Sequence, residues 1–374
     1  MSDFSGMTPF YDIPALPGWT EAQIATPALI LDADALDRNI ARMQAASSAA
    51  GVALRPHGKM HKAADVARLQ IAAGAVGICA QKVSEAEAFR RAGIADILVT
   101  NEVRGAERCA RLAGLARSGP IAACVDDTGG VAELSAAAVA AGVTIRILVE
   151  VDSGHGRCGV TTPDAAVALA RVVADAPGLT FGGIQAYQGA AQLIADPAER
   201  TGAIAASLDR TRAARDAILS AGLPCLTVSG AGTGSFALEA ASGLYTELQC
   251  GSYAFMDAHY ARIPGPDGFE HALFLLTSVL SKTRPGMAVC DAGLKVTTIE
   301  SGLPVSTLPG VTYSAASDEH GTLTDPQNRL RVGDRLRLIP GHCDPTCNLH
   351  DWYAVLRGDT VETLWPVTAR GKHF

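Results

Sequence analysis

Long apolar runs, a basic surplus and a leader-like N-terminus are all missing from this sequence of 374 residues. No run approaches the roughly 18 apolar residues that a membrane span needs, and residues 1–6 lack the basic and apolar regions of a signal peptide. The net charge of −7 argues against nucleic acid or an anionic membrane as a partner. We therefore expect a cytoplasmic protein whose partner is a small-molecule substrate.

A disulfide framework and a high charge density are also missing. The nine cysteines are odd in number and irregular in spacing, which indicates reduced thiols. Charged residues make up 18% and hydrophobic residues 48% of the chain, so the chain can form a large core. Its length exceeds that of one ordinary core and is enough for a barrel and a smaller domain.

Apolar runs alternate with helical patterns from about residue 50 to residue 262. This rhythm is typical of βα units around a parallel sheet, and eight units favour a TIM-type (β/α)8 barrel, which we place at residues 26–262. An open doubly wound sheet is the weaker alternative, because no Gly-x-Gly-x-x-Gly follows the first strand. The eight predicted strands are Val52–Arg55, Val76–Cys79, Ile97–Thr100, Ile121–Val125, Thr144–Val151, Leu179–Ala186, Cys225–Ser229 and Leu244–Gln249.

The two ends of the chain differ from this middle part. Residues 1–25 contain three prolines and little periodicity, which predicts an extended arm that packs with the C-terminal domain. A linker at Pro264–Gly268 leads to short β-rich runs separated by turns, and residues 263–374 are predicted to form an antiparallel β domain. The predicted strands there are Leu273–Leu280, Met287–Cys290, Arg329–Leu338, Trp352–Arg357 and Thr360–Trp365.

The turn Arg55–Lys62 follows the first barrel strand and is dense in Lys and His. Proline and glycine interrupt the backbone just before Lys59, which would hold this amine at the end of a strand. A lysine at the mouth of a barrel is what Schiff-base chemistry requires. Lys82, after the second strand, is the chief rival, and a basic surface turn is the alternative without function.

A glycine-rich loop, Ser229–Ser235, follows the seventh strand, where barrels often bind phosphate. Small residues let backbone N–H groups approach a phosphate, and hydroxyl groups add donors; a flexible connector is the alternative. A phosphate anchor and an imine-forming lysine together suggest pyridoxal 5′-phosphate, which has both an aldehyde and a phosphate. The residues predicted to bind it are Thr233, Gly234 and Ser235, with Gln249, Gly251, Ser252 and Tyr253 at the end of the eighth strand.

Three other strand ends contribute candidates for cofactor binding. Gln81 ends the second strand, Arg157 follows the fifth and Tyr187 follows the sixth. Arg157 could contact the cofactor's phenolic oxygen or a substrate carboxylate, unless it pairs with Asp152 in its own loop. Tyr187 could flank the pyridine ring, although an ordinary tyrosine at the rim of the barrel is the alternative.

The segment Gly341–His350 in the β domain is the second dense cluster of polar residues. His342 and Asp344 are two residues apart, so in an extended segment both would point to one face. An imidazole and a carboxylate, completed by water and substrate oxygens, suit Mn²⁺, Mg²⁺ or Zn²⁺. The alternatives are a zinc knuckle that uses Cys343, Cys347 and His350, and a loop that binds no metal.

Taken together, these stretches resemble the family of 3-hydroxy-D-aspartate and D-threonine aldolases, which are metal-activated fold-type III pyridoxal-phosphate enzymes related to alanine racemase and D-serine dehydratase. The resemblance implies that Lys59 forms the Schiff base, that His342 and Asp344 hold Mn²⁺ or Mg²⁺ with Co²⁺ and Zn²⁺ as alternatives, and that the protein is a homodimer. It covers essentially the whole chain and is most specific at Tyr11–Gly18, Arg55–Lys62, Gln81–Glu87, Gly156–Val160, Ser229–Ser235, Glu247–Asp257, Asp291–Lys295 and Pro340–Trp352.

The activity that the resemblance implies is retro-aldol cleavage of 3-hydroxy-D-aspartate to glycine and glyoxylate. Cleavage of D-threonine, dehydration of D-serine or hydroxyaspartate, a non-catalytic pyridoxal-phosphate carrier and a zinc hydrolase are the alternatives. Asp344 favours the aldolases, because the dehydratases tend to have Cys there. Leu193 departs from the family, whose aldolases often carry a histidine at this position, so His61 or a water on the metal is the expected acceptor of the hydroxyl proton.

Overall fold

The computed structural model of this chain describes residues 4, 6–264 and 268–374. Gly265 and Pro266 of the predicted linker therefore lie outside the described residues. The N-terminal two thirds contain β1 (Ala28–Asp32), α1 (Ala33–Ala49), β2 (Ala53–Leu54), α2 (Ala64–Ala72), β3 (Ile78–Ala80), α3 (Val83–Arg91), β4 (Ile97–Glu102), α4 (Ala106–Ala116), β5 (Ile121–Val125), α5 (Thr128–Ala141), β6 (Ile145–Glu150), α6 (Pro163–Asp175), β7 (Leu179–Ala186), α7 (Pro197–Ser220), β8 (Thr227–Gly230), α8 (Phe236–Ala241) and β9 (Glu247–Leu248).

The C-terminal third is built mainly of strands. It contains β10 (Leu273–Arg284), β11 (Met287–Cys290), β12 (Val305–Ser306), β13 (Thr312–Ala316), β14 (Gly321–Thr324), β15 (Arg335–Ile339), α9 (Cys343–Cys347), β16 (Trp352–Arg357) and β17 (Thr360–Pro366). The sequence analysis did not predict β12, β13 or β14, and β15 covers only the second half of the predicted run Arg329–Leu338.

Eight parallel strands form the first sheet, in the order β2-β9-β8-β7-β6-β5-β4-β3. A parallel bridge between His57 and Cys79 joins the segment after β2 to β3 and closes the ring. Each strand is followed by a helix on the outside or by a short turn, as expected for right-handed βα units. The predicted fold class, a (β/α)8 barrel followed by a mostly antiparallel domain, is confirmed.

Local sequence explains why the strands and helices alternate so regularly. Strands such as β5 are buried along their whole length, and Cys79, Leu98, Ala122, Cys124 and Leu148 form a separate buried cluster of the barrel. Four helices begin at side chains that accept hydrogen bonds from the first turn: Asp32 before α1, Asp127 before α5, Thr162 before α6 and Asp196 before α7. Among the described residues, no helix is both long and apolar enough for a membrane crossing.

The second sheet includes β1, although the sequence analysis assigned residues 26–262 to the barrel. Its main path runs β13-β14-β11-β10-β1-β16-β17, and β15 pairs with β10 and β12. β1 is antiparallel to β10 and parallel to β16. Its residues Ala28 and Ile30 are buried with Leu276 and Ala354 in the core of this sheet. The chain thus enters the second sheet before it enters the barrel, and the other predicted domain bounds remain predictions.

The N-terminal arm packs on the same sheet. Ile13, Ala15 and Ile24 are buried in the cluster that contains Ile30. Backbone hydrogen bonds from Gly18 N–H to the Val361 carbonyl (2.8 Å) and from Val361 N–H to the Trp19 carbonyl (2.7 Å) attach the arm to β17.

A buried ion pair joins β10 to the loop after β14. Lys282 Nζ lies 2.7 Å from Asp325 Oδ2, and the Asp325 side chain is fully buried. Burial alone would raise the pKa of Asp325, but hydrogen bonds from Lys282 and from the Leu330 N–H outweigh it and lower the pKa to about 2. The carboxylate therefore stabilises the fold when it is ionised.

We predict that Asp325→Asn lowers the free energy of unfolding by about 2 kcal/mol at pH 7. Because the folded pKa of Asp325 lies below the unfolded value of about 3.9, its contribution is complete above about pH 4 and is lost as the pH falls towards 2. Urea unfolding at pH 7, 5 and 3 should therefore show a gap between wild type and variant that narrows at pH 3. Asp209→Asn, on the exposed face of α7, is the control, and a gap that stays constant with pH would contradict the assignment.

Candidate active site

A cavity of about 240 Å³ opens at the C-terminal ends of the barrel strands and is covered by the second sheet's domain. It brings together residues that the sequence analysis found in separate motifs and in both domains. The predicted residues that line it are Lys59, Gln81, Arg157, Tyr187, Thr233, Gln249, Gly251, Ser252, His342 and Asp344. The predicted residues His61, Gly234, Ser235 and Tyr253 do not line it.

Lys59 reaches the cavity from the turn that closes the barrel. Gly58 precedes it, and a Cβ atom at Gly58 would lie 2.7 Å from the Phe89 ring, so only glycine fits there. Among the described residues, no carboxylate forms an ion pair with the Lys59 amine, whereas the neighbouring Lys62 is paired with Glu85. Lys59 thus presents an amine without a salt bridge to the cavity. The rival Lys82 lines a separate, smaller depression beside Asn101 and Phe374.

His57 also lines the cavity, although it was not among the predicted site residues. Its Nε2 atom lies 2.9 Å from Thr100 Oγ1 at the end of β4. Burial and then the positive charge of Lys59 lower the pKa of His57 well below its ordinary value. The imidazole beside the lysine is therefore neutral and can hold a hydrogen bond with Thr100 without adding positive charge.

His61 lies in the core and not in the cavity. It is fully buried, its Nδ1 accepts a hydrogen bond from the Ala63 N–H (3.1 Å), and its ring lies edge-on to Phe89 and Phe255. Burial lowers the pKa of His61 to about 4. The His61 ring is not part of the cavity wall, so the structure gives no support to the expectation that His61 takes a proton from the substrate.

The glycine-rich loop contributes only its middle residues, Ala231, Gly232 and Thr233, to the cavity. Thr233 Oγ1 accepts a hydrogen bond from the Tyr253 N–H (3.0 Å), so its hydroxyl proton is free to be donated elsewhere. Gly234 and Ser235 instead bond to Gln192 behind the loop. The Tyr253 hydroxyl accepts a hydrogen bond from Gln70 (3.1 Å) in the core, so this tyrosine contributes its backbone and not its ring.

Arg157 has no carboxylate partner within salt-bridge distance among the described residues. Its guanidinium lies over the ring of Tyr187, 5.6 Å from the centroid. Asp152, the alternative partner, accepts hydrogen bonds from the Gly154 and Gly156 N–H groups (2.9 and 3.0 Å) instead. A fixed and unpaired cation in a cavity is suited to an anionic oxygen.

His342 and Asp344 lie next to each other in the cavity wall. His342 Nε2 lies 3.6 Å from Asp344 Oδ2, and His342 Nδ1 lies 2.6 Å from Glu300 Oε1. The segment is not extended as predicted, because His342 precedes the short helix α9 and Asp344 lies in its first turn. A carboxylate that holds one imidazole nitrogen while the other faces a second carboxylate is an arrangement typical of metal ligands.

The zinc-knuckle alternative finds no support in this geometry. Cys343 and Cys347 are fully buried, and burial raises the pKa of both thiols. His350 Nε2 lies 2.8 Å from the Val296 carbonyl oxygen. None of these three residues lines the cavity.

Asp257 fixes the segment that carries His342 and Asp344 to the barrel. Its Oδ1 accepts a hydrogen bond from the Tyr260 N–H and its Oδ2 one from the Cys343 N–H, both at 2.9 Å. Burial raises the pKa of Asp257, and these two hydrogen bonds oppose that rise. One buried carboxyl group therefore joins the turn after β9 to the residue between His342 and Asp344.

Several residues of the site were missed by the sequence analysis. Those that follow a barrel strand could have been found by position, since catalytic groups lie at strand ends in this fold. Glu300 and Ser301 lie in an irregular stretch that carries no such signal. The missed residues with polar side chains that line the cavity are His57, Thr100, Gln185, Gln192, His259, Tyr260 and Ser301.

Comparison with known proteins agrees with this geometry. A family model described as alanine racemase, N-terminal domain, matches residues 31–259, and a serine dehydratase domain model matches residues 272–356. The chain is 53% identical to 3-hydroxy-D-aspartate aldolase of Paracoccus denitrificans (strain Pd 1222), over 100% of this chain and 99% of that protein. It is 46% identical to D-threonine aldolase of Arthrobacter sp., over 96% of each chain. The crystal structure of D-threonine aldolase from Filomicrobium marinum has a TM-score of 0.95 and 47% identity, and covers 96% of this chain and 100% of its own.

We predict that Glu300→Gln weakens the binding of Mn²⁺ by roughly 10- to 100-fold, because the carboxylate that orients His342 is lost. The affinity can be measured by titration calorimetry on the full chain. Glu107→Gln removes an exposed carboxylate of α4 and should leave the affinity unchanged. Equal affinities of wild type and Glu300→Gln would show that Glu300 does not support a metal ligand.

Proposed function

The chain belongs to the alanine racemase-like family of pyridoxal-phosphate enzymes, and within it to the aldolases, which are carbon–carbon lyases that cleave D-3-hydroxy amino acids; we propose that it cleaves 3-hydroxy-D-aspartate to glycine and glyoxylate. The observation that carries this proposal is that the Lys59 amine and the His342–Asp344 pair line one cavity. A non-catalytic carrier of the cofactor would not need the second group. A zinc hydrolase would not need the first.

The residues of the cavity fit pyridoxal 5′-phosphate. Lys59 would hold its aldehyde carbon, the free hydroxyl proton of Thr233 and the neighbouring Ser252 would face its phosphate, and the unpaired Arg157 would face its phenolic oxygen or the substrate carboxylate. When bound, the cofactor supplies a ring that takes up the electrons of the broken Cα–Cβ bond.

His342 and Asp344 fit a divalent metal ion. Bonds of about 2.0–2.2 Å from one ion to His342 Nε2 and Asp344 Oδ2 can span their separation of 3.6 Å. One imidazole and one carboxylate leave positions for water and substrate oxygens, which suits Mn²⁺ or Mg²⁺, with Co²⁺ and Zn²⁺ as alternatives. Such an ion supplies Lewis acidity at the substrate hydroxyl.

The protein's own side chains act on the substrate mainly through position and charge. The neutral His57 and its partner Thr100 hold the wall next to Lys59 without competing for anions. Arg157 is the cation that remains for a carboxylate. The buried Asp257 keeps the metal-binding segment at a fixed distance from the barrel, so a substrate bound at both ends is held in one orientation.

D-threonine is a second candidate substrate, and Leu193 is the observation that favours it. This side chain lines the cavity and is 40% exposed, so it offers an apolar surface to a methyl group. The carboxylate of hydroxyaspartate would need a polar partner elsewhere on the wall. The higher identity to the 3-hydroxy-D-aspartate aldolase supports hydroxyaspartate as the first choice.

The cell compartment and the oligomeric state belong to the same proposal. All nine cysteines are free, which fits a reducing compartment such as the cytoplasm. The homodimer implied by the family resemblance stays a prediction that sedimentation of the purified protein can check.

We predict that glyoxylate from 3-hydroxy-D-aspartate forms at least about tenfold faster than acetaldehyde from D-threonine, a difference of about 1.4 kcal/mol in the barrier. Both rates should rise with Mn²⁺ or Mg²⁺ and vanish with EDTA. Faster acetaldehyde release would make D-threonine the substrate. Formation of oxaloacetate or pyruvate in place of glyoxylate would mark a dehydratase and refute the role given to Asp344.

We predict that Lys59→Ala abolishes both the visible absorbance of the bound cofactor and the cleavage activity, because the amine that holds the aldehyde is gone. Absorbance spectra of the purified variants check this. Lys82→Ala is the matched control, since Lys82 lies outside the cavity, and it should keep the wild-type spectrum. A wild-type spectrum in Lys59→Ala would refute the assignment.

A further inference from the structure

A short 3-10 turn, Ala190–Leu193, lies directly against the glycine-rich loop. Its residue Gln192 is only 1% exposed, although it touches the cavity wall. Gln192 Oε1 accepts a hydrogen bond from the Gly234 N–H (3.0 Å), and Gln192 Nε2 donates to Ser235 Oγ (2.6 Å). The next residue in the turn is Leu193, which faces the cavity.

The orientation of the Gln192 amide is fixed by its partners. A backbone N–H can only donate, so the amide oxygen must face Gly234 and the amide nitrogen must face Ser235. The amide nitrogen also donates to the Gln188 carbonyl (3.2 Å), which lies in the segment that precedes the turn. Both ends of this side chain are therefore used.

Two glycines of the loop are required by this contact. A Cβ atom at Gly232 would lie 2.4 Å from Gln192 Oε1, and one at Gly234 would lie 2.3 Å from the Gln192 carbonyl oxygen. Neither glycine has a left-handed backbone, so conformational freedom is not the reason for them. The glycines let the turn approach the loop as well as leaving room for a phosphate.

A buried carboxylate extends the contact behind the loop. Ser235 Oγ donates to Glu239 Oε2 (2.6 Å), and Glu239 is 1% exposed. Its other oxygen has no hydrogen-bond partner in the part of the chain that the structure describes. The hydroxyl of Ser235 can donate to only one acceptor, so it needs the Gln192 amide as the donor on its other side.

We propose that Gln192 is a positioning residue that holds the phosphate loop and the Leu193 wall in one fixed arrangement, so that the cofactor's phosphate and the substrate's side chain are placed by the same amide. The identity of the cofactor rests on the proposed function. The contacts themselves do not.

Gln192→Glu isolates the donor, because the carboxylate keeps the acceptor for Gly234 and loses the N–H for Ser235. It also places a second carboxylate beside Glu239 and near a bound phosphate. We expect the dissociation constant of pyridoxal 5′-phosphate for the apo-protein to rise by roughly tenfold or more. The affinity for pyridoxal, which lacks the phosphate, should stay within about twofold of wild type. Gln327→Glu makes the same change on an exposed loop and should alter neither value.

Five further variants, three single and two double, test the packing by two double-mutant cycles. Gly232→Ala alone should weaken cofactor binding. In the background of Gln192→Ala, which lacks the side chain that the new Cβ atom would clash with, Gly232→Ala should change the cofactor affinity little. Gly234→Ala meets the backbone of residue 192, so Gln192→Ala should not rescue it. With the cofactor saturating, Gln192→Ala should raise the KM for D-threonine more than it lowers kcat, since the methyl group of this substrate is the side chain that the displaced Leu193 wall would contact.

The outcomes separate the two proposals. If Gln192→Glu binds pyridoxal 5′-phosphate as tightly as wild type, or loses pyridoxal equally, the positioning role is refuted while wild-type binding and cleavage stand. If Gly232→Ala and Gln192→Ala are simply additive, the packing argument is refuted. If the wild-type apo-protein binds no pyridoxal 5′-phosphate at all, the proposed function fails. The double-mutant cycles can then be measured as changes in the thermal unfolding temperature, and they still decide whether Gln192 orders the loop.

Discussion

The closure of the barrel at residues 56–58 is the constraint on which the rest of the site depends. The Gly58 N–H donates to the Cys79 carbonyl and the Cys79 N–H to the Pro56 carbonyl, both at 2.8 Å, so the last strand pairing ends one residue before Lys59. Lys62 then fixes the other side of the turn: its buried amine is paired with the buried Glu85, and its carbonyl accepts a hydrogen bond from the Ala369 N–H of the second domain (2.8 Å). Breaking a buried ion pair such as that of Lys62 costs about 3–5 kcal/mol. The turn that presents Lys59 is therefore anchored at both of its ends.

The half of the site that carries His342 and Asp344 is held in the same manner, by groups that lie outside the cavity. Asp257 joins the turn after β9 to the backbone of Cys343, and Glu300 holds the imidazole of His342. The two halves belong to different sheets, yet β1 lies in the second sheet and runs directly into α1 of the barrel. Their separation is therefore set by buried hydrogen bonds and by a shared strand, and a change in either sheet's packing alters the distance between the Lys59 amine and the His342–Asp344 pair.

The sequence predicts the barrel well because its strands are buried on both faces and each is a short apolar run. It does not predict the sheet to which β1 belongs, since a five-residue apolar strand carries no information about its partners. The same limit applies to the site. Residues that follow barrel strands, such as Arg157 and Thr233, could be found from position, whereas Glu300 lies in an irregular stretch and reaches His342 only through the tertiary fold. The glycines of Ser229–Ser235 were attributed to a phosphate site or to a flexible connector, because nothing in the sequence shows that Gln192 packs against them.

The two histidines on either side of Lys59 show why spacing could not assign the proton acceptor. His57 and His61 are each two residues from the lysine, so their distances along the chain are equal. His57 lies in the last extended pair before Gly58 and points to Thr100 at the strand ends, whereas the chain has turned by His61, and its ring enters the space between Phe89 and Phe255. An imidazolium there would be a buried charge without a counterion, which is why burial lowers the pKa of His61 to about 4. Leu193 is apolar and His61 lies in the core, whereas Lys59, His259, His342 and Asp344 are titratable groups that do line the cavity.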